Sequence, residues 1–324
     1  VAFAIGMLAG CSSEKKSSTA QKDLQKVRLA ISTWSGFGPL FIAREKGFFA
    51  EQGLDVDIKI IEGLAERKQA LASKNLDGLA ITFDIAATVV DNGLPVKIIW
   101  ALADSYGADG LLVKPEINSV QDLKGKTVAF NYGTASHILL TAILEKNGMT
   151  EQDIKPLQMT AGDAGAAFVA GKIDAALTWE PWLSKAQNAK VLASSKDFPG
   201  MIVDTIALRA DYVQNNPAVP QKIVNAMAKA MKWYYANKEN TAEGNKIMAK
   251  AFGVDVNEFT QGLETIKLYN YEENVEMFGT PEKPGVFYNT MERAAELYLK
   301  AKKINKKPDP KEVIDPSYLK NVKL

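Results

Sequence analysis

From Val27 onward, short β-branched and aliphatic runs alternate with stretches whose apolar positions recur every three or four residues, the two periodicities of strand and helix. The first series predicts strands at 27–31, 56–61, 79–82 and 96–102, with helices at 40–46, 66–73 and 85–91. Gly47 and Gly93 stand where the first and third of these helices should stop, as glycine favours the left-handed conformation just past a helix end. A second series follows Val113-Lys114-Pro115: strands at 127–130, 155–159, 173–178 and 191–193, helices at 135–147, 164–170 and 181–187, then a strand at 201–208. Beyond it the pattern is helical, with Val224, Met227, Met231 and Tyr234 on one face of 219–237. Strands alternating with helices predict an α/β fold with mostly parallel sheets covered on both faces.

A chain of 324 residues, 47% hydrophobic, suits two compact units better than one. The economical arrangement places 27–112 and 206–324 in lobe 1, with the C-terminal helices packed on it, and 113–205 in lobe 2. Two crossing strands near 110–113 and 201–208 would form the hinge. An internal echo supports two lobes: Thr82-Phe83-Asp84 and Thr178-Trp179-Glu180 each end a strand with threonine, an aromatic ring and a carboxylate. Ligands of open α/β sheets bind beyond the carboxyl ends of strands, so these tripeptides are expected to face one another across a cleft.

The front of the chain has a different character. Residues 1–10 are apolar and uncharged, Cys11 follows, and 11–26 is rich in Ser, Lys, Gln and Glu. The pattern predicts the end of an export leader and then a flexible tether, the charged start of such a leader being absent. Leu8-Ala9-Gly10-Cys11 resembles the bacterial lipobox, which implies lipidation of Cys11. With its one cysteine so used, the chain would hold no disulfide.

Lys and Arg number 39 against 38 Asp and Glu, interspersed along the chain, so nothing calls for nucleic acid. One histidine and one cysteine make no His/Cys metal cluster, and neither a Gly-x-Ser-x-Gly elbow nor a Gly-x-x-x-x-Gly-Lys phosphate loop occurs. No catalytic residue, metal or cofactor is therefore expected. Paired carboxylates could act on a sugar, but scattered acids are not a defined pair.

The loops at the predicted carboxyl ends of the strands offer a binding site. Their charged members are Asp84, Asp104, Asp109, Asp163, Glu180 and Asp204, none of them basic; Arg67 and His137 stand nearby. The candidate ligand-binding residues are Trp34, Phe37, Asp84, Asp104, Tyr106, Thr134, Ser136, Glu180, Trp182 and Asp204. Carboxylates with aromatic faces fit guanidinium, an amidine or an amine better than nitrate. Several of these residues also have local explanations. Asp84 and Glu180 precede predicted helices, where acids cap N–H groups, and Asp109-Gly110 is a turn signal. Thr134 and Ser136 open a helix whose free N–H groups suit an anion.

Thr33-Trp34-Ser35-Gly36-Phe37-Gly38-Pro39-Leu40, Ala43-Arg44-Glu45-Lys46-Gly47-Phe48-Phe49, the run Asp122 to Ala129 and Ala176-Leu177-Thr178-Trp179-Glu180-Pro181-Trp182 resemble the nitrate/sulfonate/taurine group of ABC-transporter substrate-binding proteins, whose fold is shared with thiamine-pyrimidine-synthesis proteins. The resemblance implies a periplasmic-binding-protein-like fold and a monomer that takes a small solute to an ABC permease and its ATPase. It implies an extracytoplasmic location, with attachment to a bacterial membrane through Cys11. Within the group the chain is similar to members of urea-carboxylase regions linked to guanidine. The alternatives are an anion (sulfonate, taurine, nitrate) or a thiamine-pyrimidine ligand in the same role, and a sensory binding protein without transport.

Overall fold

Six strands of lobe 1 form one sheet, in the order β11-β4-β10-β3-β1-β2. They are β1 (Gln25–Ile31), β2 (Leu54–Ile60), β3 (Gly78–Thr82), β4 (Val96–Ser105), β10 (Val203–Arg209) and β11 (Ile266–Leu268). Every residue of β3 is buried, as is nearly all of β4 and β10, because helices cover both faces of the sheet centre. At the edge, β2 alternates buried Leu54, Val56 and Ile58 with exposed or half-exposed Asp55, Asp57 and Lys59. The computed structural model describes residues 24–180, 182–280 and 282–323. Cys11, the predicted leader and most of the predicted tether lie outside the described residues.

Lobe 2 carries the second sheet, ordered β7-β6-β8-β5-β9: β5 (Asp109–Val113), β6 (Thr127–Phe130), β7 (Lys155–Gln158), β8 (Ala175–Trp179) and β9 (Lys190–Ser194). The chain crosses between sheets twice, from β4 to β5 and from β9 to β10, so residues 109–112, expected in lobe 1, belong to the sheet of lobe 2 because β5 pairs with β8 and β9. The expected parallel pairing holds for β1 with β2 and β3, and for β6 with β7 and β8. In the first sheet β10 and β11 run antiparallel to their neighbours, and in the second β5 does. The sheets are therefore mixed.

The C-terminal helices lie on lobe 1, as the pattern required. Helix Val219–Tyr234 buries Ile223, Val224, Met227 and Met231 against helices Pro39–Glu45 and Phe48–Glu51. It stops at Tyr234, short of the predicted 237, because Asn237 caps the next helix, its side chain accepting from the Asn240 N–H. Helix Val286–Lys300 packs both on helix Phe83–Asp91 of lobe 1 and on helix Ala135–Lys146 of lobe 2. Strand β11, three residues long, is too short to leave a periodic signal in the sequence. It pairs antiparallel with the end of β4, Lys267 opposite Asp104.

Candidate ligand cleft between the lobes

Four carboxylates gather where the strands of lobe 1 meet the crossings. Asp84 is the second residue of the helix that follows β3; Asp104 lies near the end of β4, opposite Val203. Asp204 lies near the start of β10, and Asp109 opens β5 opposite Trp179. All four are buried, the most exposed being Asp104 at 6%. They are near enough to act on one another: the charges of Asp109, Asp104 and Asp84 each raise Asp204. Burial is the main cause of elevation in every case, pushing Asp104 and Asp109 up to about 7 and Asp84 and Asp204 above the ordinary carboxylate range. Desolvation and like charges both disfavour ionisation.

Asp84, Asp104 and Asp109 are only partly satisfied. Trp34 Nε1 donates to Asp204 Oδ2 at 2.7 Å, and the Gly200 N–H donates to Asp104 Oδ2 at 3.1 Å. Tyr298 Oη is 2.9 Å from Asp84 Oδ2. Asp84 Oδ1, Asp104 Oδ1, Asp109 Oδ2, Thr82 Oγ1 and Ser136 Oγ are buried with no hydrogen-bond partner, a costly condition for polar atoms that a bound solute can relieve. Among the described residues no group of three His, Cys, Asp or Glu is arranged to hold a metal ion.

Aromatic rings line the seam between the lobes. Trp34 of lobe 1 meets Trp179 of lobe 2 edge-on, with centroids 6.2 Å apart. On the other side Tyr298 stacks on His137 at 5.5 Å, and His137 stacks on Phe130 at 5.4 Å. His137 Nδ1 accepts from the Gly133 N–H at 3.2 Å, while Nε2 lies 2.5 Å from Glu151. With Nδ1 accepting from Gly133, the Nε2 hydrogen is directed at Glu151.

The structure thus brings together Trp34, Asp84, Asp104, Asp204, Thr134 and Ser136 of the predicted set. Thr134 offers its backbone: Oγ1 donates to the Asn131 carbonyl, and its own carbonyl meets Tyr298. Four others are engaged elsewhere. Phe37 is 4% exposed in the lobe 1 core, and Tyr106 is 46% exposed under Lys196. Glu180 accepts from the Ser184 N–H and hydroxyl at a short helix start. Trp182 lies on Gly165, where an added Cβ would come within 2.5 Å of its ring. The echo holds for strand position but not for all its side chains: Asp84 and Trp179 reach the seam, while Phe83 packs on Phe287 in the core. Asp109, legible as a turn signal, is instead a buried acid of the cluster. Tyr298 carried no signal beyond helical spacing. Arg67 is 4% exposed with Nε unpartnered, and burial lowers it to about 10 against the opposing charges of Glu62 and Glu66.

The sequence profile described as NMT1/THI5 like matches residues 34–241, well over half the chain. The chain belongs to the NMT1/THI5-like family. A Bacillus subtilis (strain 168) protein named for binding aliphatic sulfonates is 25% identical over 325 residues, covering 98% of this chain and 93% of its own. The taurine-binding periplasmic protein of Escherichia coli (strain K12) is 24% identical over 220 residues, 66% of this chain and 69% of its own. The crystal structure of the periplasmic aliphatic sulphonate binding protein SsuA from Escherichia coli superposes with a TM-score of 0.73 at 20% identity, over 93% of this chain and 95% of that one. This family member therefore has the periplasmic-binding-protein-like fold. The same fold also carries chemistry elsewhere: the desulfurization enzyme DSZB matches at a TM-score of 0.63 and 14% identity, over 91% of this chain and 98% of its own. Among the described residues no helix of this family member is long and apolar enough to cross a membrane.

Proposed function

We propose that the chain is the extracytoplasmic solute-binding subunit of an ABC importer, tethered through Cys11, which closes its lobes on a small solute and presents it to a permease and its ATPase. The observation that carries this reading is the seam itself. Aromatic faces from both lobes meet there beside buried polar atoms that lack partners within the protein. Such an arrangement binds; among the described residues no nucleophile with an aligned base accompanies it, and we take it to be non-enzymatic.

For the solute, the relatives' names support the sulfonate or taurine alternative better than guanidinium, since neither relative is named for a cation. The chemistry of the site allows an anion: Ser136 Oγ lies in the first turn of helix Ala135–Lys146, and Asp104 and Asp109, titrating near 7, can donate when protonated. A second reading, a small nitrogenous cation such as guanidinium, is favoured by one observation. Four buried acids share the seam, and the basic residue acting on Asp104, Lys267, is half exposed and paired with Glu273. Ionised together, they would call for a ligand rich in N–H donors.

A thermal-melt screen separates the two: taurine, alkanesulfonates, nitrate and a thiamine pyrimidine against guanidine, methylguanidine, agmatine, urea and small amines. A ligand at about 100 times its Kd stabilises the native state by about 2.7 kcal/mol. Stabilisation by anions alone supports the first reading, and by cations alone the second. Normal uptake of the stabilising solute in a strain lacking the gene would sink the transport role and favour a sensory one.

A further inference from the structure

The hydroxyl of Tyr298 has one proton and two oxygens within reach. It lies 2.9 Å from Asp84 Oδ2 on lobe 1 and 2.9 Å from the Thr134 carbonyl oxygen on lobe 2. A carbonyl only accepts, and so does an ionised carboxylate. With Asp84 ionised, one of these contacts is oxygen against oxygen with no hydrogen aligned between them. With Asp84 protonated on Oδ2, the carboxyl donates to Tyr298 Oη and the Tyr298 hydroxyl donates to Thr134, so both contacts become hydrogen bonds. We propose that Asp84, Tyr298 and Thr134 form a proton-operated latch between the lobes: a proton on Asp84 aims the Tyr298 hydroxyl across the seam, and its loss weakens the hold on lobe 2. The inference rests on the lobe closure proposed above and adds a control to it.

Burial favours the proton on Asp84 and outweighs the Thr82 and Tyr298 hydroxyls and the Asp84 and Ile85 N–H groups, which favour the carboxylate. Asp84 and Tyr298 are fully buried and Thr134 is 7% exposed, so water is poorly placed to supply the missing donor. Asp84 faces Tyr298 from helix Val286–Lys300, Thr82 at the end of β3, Asp109 of β5 and Asp204 of β10, and the last two feel its charge. Behind Tyr298 stand His137 and Glu151, with Lys303 acting on Glu151 and lying 4.3 Å over the Tyr132 ring. No cation among these facing groups is bonded to Asp84. Opening would return Asp84 to solvent and toward the ordinary value of about 3.9. The closed form then holds a proton that the open form has lost, so closure is favoured at low pH and fades as pH rises through the closed-form value.

The test is small-angle scattering of the ligand-free full chain between about pH 5 and about pH 9. The wild-type radius of gyration should grow with pH. Asp84→Asn, whose amide donates to Tyr298 at any pH, should flatten this dependence by up to tenfold in the closed-to-open ratio per pH unit, the contribution of one proton. Asp104, Asp109 and Asp204 remain in that variant; because Asp109 and Asp204 feel the Asp84 charge, the difference reports the Asp84 proton together with its coupling to them. Tyr298→Phe should lower the closed-to-open ratio at about pH 5 roughly three- to tenfold. A wild-type radius that shrinks on adding taurine or guanidinium but ignores pH overturns the latch and leaves closure standing, a result that needs no variant to fold. Asp84→Asn opening as the wild type does also overturns it. A radius unmoved by pH and by every solute that stabilises the protein removes the closure reading itself.

Discussion

Trp34 Nε1 donates a 2.7 Å hydrogen bond to Asp204 Oδ2, joining the turn after β1 to the start of β10 beneath the inter-lobe seam. Gly36 makes room for it. A Cβ there would lie 2.3 Å from Asp204 Oδ2 and 2.5 Å from Trp34 Nε1. Gly36→Ala should therefore break the bond and cost about 1–3 kcal/mol, a fall of several degrees in Tm. Trp34→Phe keeps a ring but removes the donor, and its cost in urea unfolding should grow as pH rises through the folded-state value of Asp204, which burial lifts well above the ordinary carboxylate range, because only ionised Asp204 strictly requires a donor. A cost that falls with rising pH would contradict this.

The ligand-free protein should lose stability as pH rises from about 4 to about 7. Asp104 and Asp109 titrate near 7 when folded and near 3.9 when unfolded, so between these values the folded state binds more protons. Their contribution is full below the unfolded value and is lost as pH rises through the folded one. Asp211, held down to about 2 by Lys74 and Arg209, acts oppositely, but only at lower pH. Urea unfolding at about pH 5 and about pH 8 checks the sign; greater stability at the higher pH would contradict the burial of these acids.

Asp104→Asn removes a buried charge but keeps an acceptor for the Gly200 N–H. The unliganded variant should match or exceed the wild type in stability at about pH 8. If the solute is a cation, its affinity should fall by about one to two decades; if an anion, it should change little or rise. Calorimetric titration with whichever solute the melt identifies measures this directly.

Cys11→Ser, expressed from the full-length gene, should yield a lipid-free product that is unprocessed or released from the membrane. Normal retention of such a product in the membrane fraction would exclude the proposed anchor.

The sequence alone determined the order of elements. Strand and helix periods are written in neighbouring residues, so β1, β3, β6 and the helices between them were legible within a few positions, as were the stops at Gly47 and Gly93. Asp84, Asp104 and Asp204 could be named because their places at strand ends follow from that order. Tertiary structure decided which side chains share a site. Asp84 and Tyr298 are 214 positions apart, and no local period says that helix Val286–Lys300 wedges against both lobes. Asp109 became a buried acid because β5 lies between β8 and β9, whereas Tyr106, three residues before it, turned out to solvent. Side-chain direction at a chain crossing depends on sheet order and packing across long sequence separations, and the local pattern carries neither.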